Sequence, residues 1–250
     1  GEELFGGTGS NQAITLGGVD RDGKDAVNDL TYVMLRATEL LGLRDPNVNV
    51  RYYPDPAVNP PEYLNRLCEV NIKTMATPCF HNDLAVIDTL KSQNVTEQDA
   101  RDYGVIGCVE PFSAGRTFGH SGAILFNLTS ALERTLFGGK HRLTKDELFG
   151  EKTTPAAQMN SFDEFQDALK KQLGWLIDRA VTLNNYCGRT HQRMHPCPML
   201  SALMEGCMGS GQDVIMGGAT YNFSGATIIG LADVVDSLTA IQEFGFPNNG

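Results

Sequence analysis

Val48-Asn49-Val50-Arg51-Tyr52-Tyr53 alternates apolar with polar residues, carries β-branched and aromatic side chains, and stops at Pro54-Asp55-Pro56. A period of two over six residues is the pattern of a strand. The flanks have a different period. From about Asp25 to Leu43, the residues Leu30, Val33, Met34, Ala37, Leu40 and Leu41 recur at helical spacing, and Gly42 offers a stop. Downstream, Pro60-Pro61 opens a second helix expected to reach about Thr74. Further out, Ala13-Ile14-Thr15-Leu16 is an apolar run ending at Gly17-Gly18, and Thr77-Pro78-Cys79-Phe80 is a strand candidate before helices over Asp83 to Gln93 and Thr96 to Asp102. An apolar run, Tyr103 to Val109, follows. Helices are then expected over Ser121 to Leu136, Phe162 to Tyr186 and Leu231 to Phe244. Strands alternating with helices imply an α/β architecture with largely parallel strands. No linker or short repeat divides the chain, so residues 1–250 are expected to form one domain.

Composition narrows the function. The chain has 250 residues, 41% hydrophobic and 20% charged, which suits a globular protein with a sizeable core. A net charge of -10 argues against a nucleic-acid partner, because phosphate binding needs clustered Lys and Arg. No apolar stretch is long enough for a membrane span, and the opening residues Gly1 to Phe5 lack the parts of a signal peptide, so a cytoplasmic location is expected. The cysteines Cys68, Cys79, Cys108, Cys187, Cys197 and Cys207 are irregularly spaced and read as reduced thiols.

Chemistry concentrates in Gly107-Cys108-Val109-Glu110-Pro111, followed by Gly115-Arg116-Thr117-Phe118-Gly119-His120-Ser121-Gly122. The apolar run delivers a cysteine and a glutamate to its end, and Pro111 is read as stopping the strand. Residues two apart in extended backbone point the same way, so thiol and carboxylate are expected to share a pocket. Glu110 would then be a general acid or base. Residue types alone leave a plainer reading open, with Cys108 a small core residue and Glu110 solvated.

The Gly107 to Pro111 segment resembles the Cys-loop of glycyl radical enzymes of the pyruvate formate-lyase and dehydratase superfamily. Ala13 to Gly18 with Asp20, Asp22, Gly23 and Asp25 is similar to the family's "TLGG…D.DG.D" stretch. Asn47-Val48-Asn49-Val50-Arg51 resembles the strand after it. Gly217 to Gly225, then Ala232 to Leu238, is similar to "GGARYNFSG…ANVADSL". The resemblance implies part, about one half, of a ten-stranded α/β barrel, with the Cys-loop at about 104–122. It implies a radical lyase or dehydratase acting on a small molecule in anaerobic metabolism. Cys108 would carry the thiyl radical that abstracts substrate hydrogen, and Glu110 would be the base. It also implies no metal, a glycyl radical as protein-derived cofactor, and a radical-SAM activase as partner.

The family's "RVSGY"-like radical loop and the first barrel half have no counterpart in this sequence. A partner chain supplying both is therefore expected, or else the chain is an inactive subunit that pairs with a complete enzyme. Diol dehydratases carry an acidic residue near the position of Gly122, so the resemblance points away from glycerol as substrate. Choline-cleaving relatives place a Thr at the position of Ser121, which makes Ser121 a candidate substrate contact. His120 could donate to a substrate or cap the following helix, and Arg116 could hold a substrate anion or pin the loop. Cys108 with His120 could also be the dyad of a thiol hydrolase. Cys187, His191, His195 and Cys197 have spacings a zinc site could use, but Gly188 and Pro196 are expected to interrupt the helix that would align them. Gly206-Cys207-Met208-Gly209-Ser210-Gly211 lacks the following Lys of a phosphate loop.

Overall fold

A computed structural model describes residues 12–43, 45–141, 143 and 149–246, the side chains of 120–122 excepted. The architecture is mixed α/β, and its contacts gather into two compact units, Gly1–Ser121 with Cys197–Phe223, and Gly122–Pro196 with Ser224–Gly250.

In the first unit, β1 (Ala13–Gly17), α1 (Asp29–Leu41), β2 (Asn47–Tyr52), α2 (Pro61–Thr74) and β3 (Cys79–Asn82) build a parallel sheet in the order β1-β2-β3. The alternation in β2 sets its two faces. Val48 and Val50 bury against Leu35 of α1 and Tyr63, Leu67 and Val70 of α2. Asn47, Asn49 and Arg51 occupy the opposite face, in register with Ala13, Thr15 and Gly17 of β1, and Asn49 and Arg51 are in register with Cys79 and His81 of β3. α1 begins four residues later than its apolar stripe suggested. The Asp25 carboxylate accepts from Val27 N and Asn59 Nδ2 in a turn, and Asn28 caps the helix reciprocally with Thr31. Gly42 ends α1 in the left-handed conformation at φ 60°.

After α3 (Asp83–Ser92) and α4 (Glu97–Arg101), the chain forms a hairpin of β4 (Tyr103–Ile106) and β5 (Glu110–Ser113). This hairpin is antiparallel, which corrects the expectation of parallel strands here, and Pro111 lies within β5 opposite Val105 rather than ending a strand. Val105 N points away from β5 and donates to Thr15 Oγ1 at 2.9 Å. A pair facing outward in this way exchanges no backbone bond, so proline's missing N–H costs the ladder nothing.

The rest of the chain comprises β6 (Thr117–Asn127), α5 (Leu128–Leu136), α6 (Phe162–Met194), α7 (Pro198–Leu203), α8 (Cys207–Ser210), β7 (Tyr221–Ile229) and α9 (Leu231–Ala240), which runs into a π-helical turn, Ile241–Gly245. β6 and β7 pair, and the boundary between the units falls within both. Residues 121–127, expected as helix, are strand. Ile124 and Phe126 are half-buried while Ala123 and Leu125 are exposed, a period of two, and Asn127 caps α5. In the second unit Leu132, Met159, Phe162, Phe165, Ala168 and Val234 pack together. α6 passes straight through Gly188, where an interruption was expected, since one helical glycine costs only about 1 kcal/mol, and it ends at Met194, two residues before Pro196. Among the described residues no helix is long and apolar enough to cross a membrane.

One buried cluster ties the hairpin to the parallel sheet. Arg51 Nε and Nη2 donate to the two carboxylate oxygens of Asp83, each at 2.9 Å. The same guanidinium reaches the carbonyls of Tyr103 at 3.1 Å and Arg101 at 2.8 Å, and stacks 4.0 Å from the Tyr103 ring centroid. Asp83 also accepts from Tyr103 Oη at 2.7 Å and Val19 N at 2.9 Å. Burial, reinforced by the Asp83 charge, pushes the Tyr103 phenol well above its ordinary pKa, so the proton stays on the oxygen and is donated. Gly18, at φ 78°, passes so close that any side chain there would strike Asp83 and Arg51.

Removing one partner strands the other in a site from which water is excluded. Asp83→Ala is expected to cost about 3–5 kcal/mol, read from denaturant unfolding of the natural protein. Wild-type stability in this variant would contradict the role given to the cluster.

Candidate functional site

Ile106 and Glu110 face each other across the hairpin, leaving Gly107-Cys108-Val109 as a three-residue turn. Gly107 takes φ 58°, a conformation that favours glycine, and Cys108 sits exposed in the turn. The extended backbone expected from Cys108 to Glu110 is therefore not observed. Instead the Glu110 carboxylate folds back, and its Oε2 accepts from Cys108 N at 3.0 Å and Val109 N at 2.9 Å. Thiol and carboxylate are still brought to one turn, by a different route than strand alternation.

The carbonyl side of that turn meets the polar face of the parallel sheet. Asn47 Nδ2 donates to Cys108 O at 2.6 Å and to Gly107 O at 3.3 Å. Asn49, fully buried, donates to Asn47 O at 3.3 Å and meets His81 Nε2 through its own Oδ1 at 3.0 Å. Burial holds the His81 imidazole below its ordinary pKa, opposed by Asp83 and aided by Arg51. Burial also raises the Cys79 thiol on the same face. These residues escaped the sequence reading as site components. The polar spacing Asn47, Asn49, Arg51 was the available signal, because a strand buried on both sides rarely spends three positions on polar groups.

Arg116 does not extend into open space. Its Nε pairs with Glu205 at 2.9 Å, and its Nη1 lies 3.4 Å from Asp99 and 3.7 Å from Asp102. Burial alone would raise the Asp99 carboxyl, but hydrogen bonding with Tyr221 and Thr96 and the charges of Arg116 and Arg21 hold it below the usual range. Three carboxylates thus already match the Arg116 charge. His120 and Ser121 lie on β6, not at a helix start, and their side chains fall outside the described residues.

At the end of α6, His191 and the capping residue His195 have ring centroids 5.7 Å apart. Among the described residues no group of three or more His, Cys, Asp or Glu side chains comes together to hold a metal. Gly206 in the glycine-rich stretch packs against the backbone of Gly218 and Thr220, a close approach that accounts for the missing side chain.

Residues 1–247 match the family described as pyruvate formate lyase-like, and the chain belongs to that family of glycyl radical enzymes. It is 34% identical over 249 residues to (2S)-3-sulfopropanediol dehydratase from Klebsiella oxytoca, covering 97% of this chain and 28% of the relative. The glycerol-bound B12-independent glycerol dehydratase from Clostridium butyricum superposes with a TM-score of 0.84 at 34% identity, over 96% of this chain and 30% of that one. A glycyl radical enzyme from Archaeoglobus fulgidus superposes with a TM-score of 0.79 at 35% identity, again over 96% and 30%. The α/β fold is accordingly a portion of the barrel of such enzymes, and the chain spans just over a quarter of the length of the curated relative.

His81 gives the site a pH signature. Its folded pKa lies below the ordinary 6.5, so under acid conditions the unfolded chain takes up a proton that the folded chain refuses. Stability is expected to fall as pH drops below 6.5 and to level off below the folded pKa. In thermal melts between pH 8 and pH 5, His81→Gln should lack this component, and an unchanged pH profile would contradict it.

Proposed function

We propose that this segment supplies the hydrogen-atom carrier and the base of a radical lyase or dehydratase that cleaves a carbon–heteroatom bond in a small molecule. The observation that carries the reading is the exposed Cys108 thiol in a tight turn that also holds the Glu110 carboxylate. Membership of the pyruvate formate lyase-like family supports it, as do relatives named as dehydratases and as isethionate sulfite-lyase.

Cys108 gives its hydrogen atom to a radical on a glycine outside this segment. The thiyl left on Cys108 then takes a hydrogen atom from a substrate carbon. Glu110 accepts a proton from the substrate radical as the neighbouring leaving group departs with its bonding electrons, and Cys108 returns the hydrogen atom to the product radical. That return leaves Cys108 a thiyl again; it retakes a hydrogen atom from the glycine, which restores both the thiol and the glycyl radical, and Glu110 releases its proton to the departed group or to water. Glu110 enters this sequence already on the cysteine turn, so its path to the substrate is short.

In this reading a radical-SAM activase installs the glycyl radical, and further polypeptide, in the same chain or a partner, completes the barrel and pocket. His120 and Ser121 on β6 contact substrate. Arg116, whose charge is matched by Glu205, Asp99 and Asp102, anchors the loop rather than the substrate. The enzyme works in the cytoplasm of an anaerobic cell.

The test is turnover by the natural protein, activated anaerobically, on compounds named with its relatives: (2S)-3-sulfopropanediol, glycerol, trans-4-hydroxy-L-proline and isethionate. Cys108→Ser should reduce turnover to background, and Glu110→Gln should lower kcat by roughly 10²–10⁴-fold. Retained turnover in Cys108→Ser would overturn the assignment.

A further inference from the structure

The cysteine turn is gripped from two sides. Glu110 takes its amides, and Asn47 takes its carbonyls at Gly107 and Cys108. The two grips differ in kind. Glu110 is the first residue of β5, directly after the turn, so its bonds shape the turn but do not locate it. Asn47 belongs to β2, sixty residues away in sequence, and its bonds fix where the turn sits relative to the parallel sheet.

Asn47 is itself held in place. Its N–H donates to Gln12 O at 2.8 Å, and its backbone pairs in register with Ala13 of β1. Its carbonyl accepts from Asn49 Nδ2, and the Asn49 amide is fixed at its other end by His81 on β3. A line of bonds therefore runs from β3 through the fully buried Asn49 to Asn47, and from there to the carbonyl of Cys108. The last link, at 2.6 Å, is the shortest in the line.

We infer that Asn47 is a positioning residue for Cys108, backed by Asn49 and His81, and that it holds the thiol at the distance and angle hydrogen-atom transfer requires. The inference rests on the reading of Cys108 as hydrogen-atom carrier. Transfer of a hydrogen atom needs donor and acceptor close to contact, and a misplacement of about 1 Å can cost on the order of 10²-fold in rate. A backbone carbonyl two bonds from the Cα that bears the thiol is an effective handle, because moving it swings the whole side chain. Asn47 touches no reacting atom and is not a catalytic residue.

The test needs no substrate. In D2O the Cys108 thiol exchanges to S–D, and each return of hydrogen from Cys108 to the partner glycine carries deuterium there. The hyperfine splitting that the glycyl α-hydrogen imposes on the radical's EPR signal then collapses, and the rate of collapse reports transfer between the two residues. The natural protein is activated anaerobically and moved to D2O. Asn47→Asp, which keeps shape and loses the donor, should reach the same radical content as wild type but slow the collapse by about 10–100-fold. Asn47→Ala should do the same. Asn222→Asp removes a similar carbonyl clamp, on Gly217 and Ala219, and should leave the rate unchanged.

A wild-type rate in both Asn47 variants overturns the inference, as does loss of folding in both, which would make Asn47 a residue of the fold alone. Cys108→Ser separates the two levels. Collapse of the splitting in that variant, or none in activated wild type, would instead sink the hydrogen-carrier reading on which the inference stands.

Discussion

The guanidinium of Arg51 has no water to turn to, and every hydrogen bond it makes is a statement about where another part of the chain must be. Through Asp83 it fixes the start of α3 and the backbone at Val19, and through two carbonyls it fixes the chain entering β4. A buried pair of this kind repays its desolvation only when all its partners are in place, so its contribution is to specificity of position more than to surplus stability. Gly18 reads as a consequence of that demand, since the cluster leaves no room for a side chain there.

From this cluster the polar face of β2 acquires its meaning. Val48 and Val50 do what strand residues under a helical layer ordinarily do, and bury against α1 and α2. The other face spends its positions on Arg51, which docks the hairpin, and on Asn47, which meets the hairpin's turn. Anchoring and aim are thus two turns of the same strand alternation. The bonds from Asn47 and Glu110 that hold the turn at Cys108 grip backbone atoms and not the thiol.

Much of this was legible in the residues. Gly42 and Pro61 marked helix ends where the chain has them, because αL glycine and first-turn proline act locally. The Cys108 and Glu110 pair stood out by its motif, although the geometry joining them did not. What failed were inferences that depend on partners. Pro111 reads as a strand terminator until Thr15 is seen to take the outward-facing amide of Val105. Ala123-Ile124-Leu125-Phe126 fits helix and strand alike, and pairing between β6 and β7 decides for strand. The polar spacing of Asn47, Asn49 and Arg51 does not say what these residues meet, because Asn47 with Gly107, Asn49 with His81 and Arg51 with Asp83 are each more than 30 residues apart in sequence.

The Arg51–Asp83 pair sets the place of the cysteine hairpin, and amide hydrogen exchange on the natural protein can follow its loss. In an Asp83→Asn variant protection should fall in peptides covering 17–20 and 101–113 while peptides from α6 keep wild-type protection. Unaltered exchange at 101–113, or an equal loss across all peptides, would contradict it.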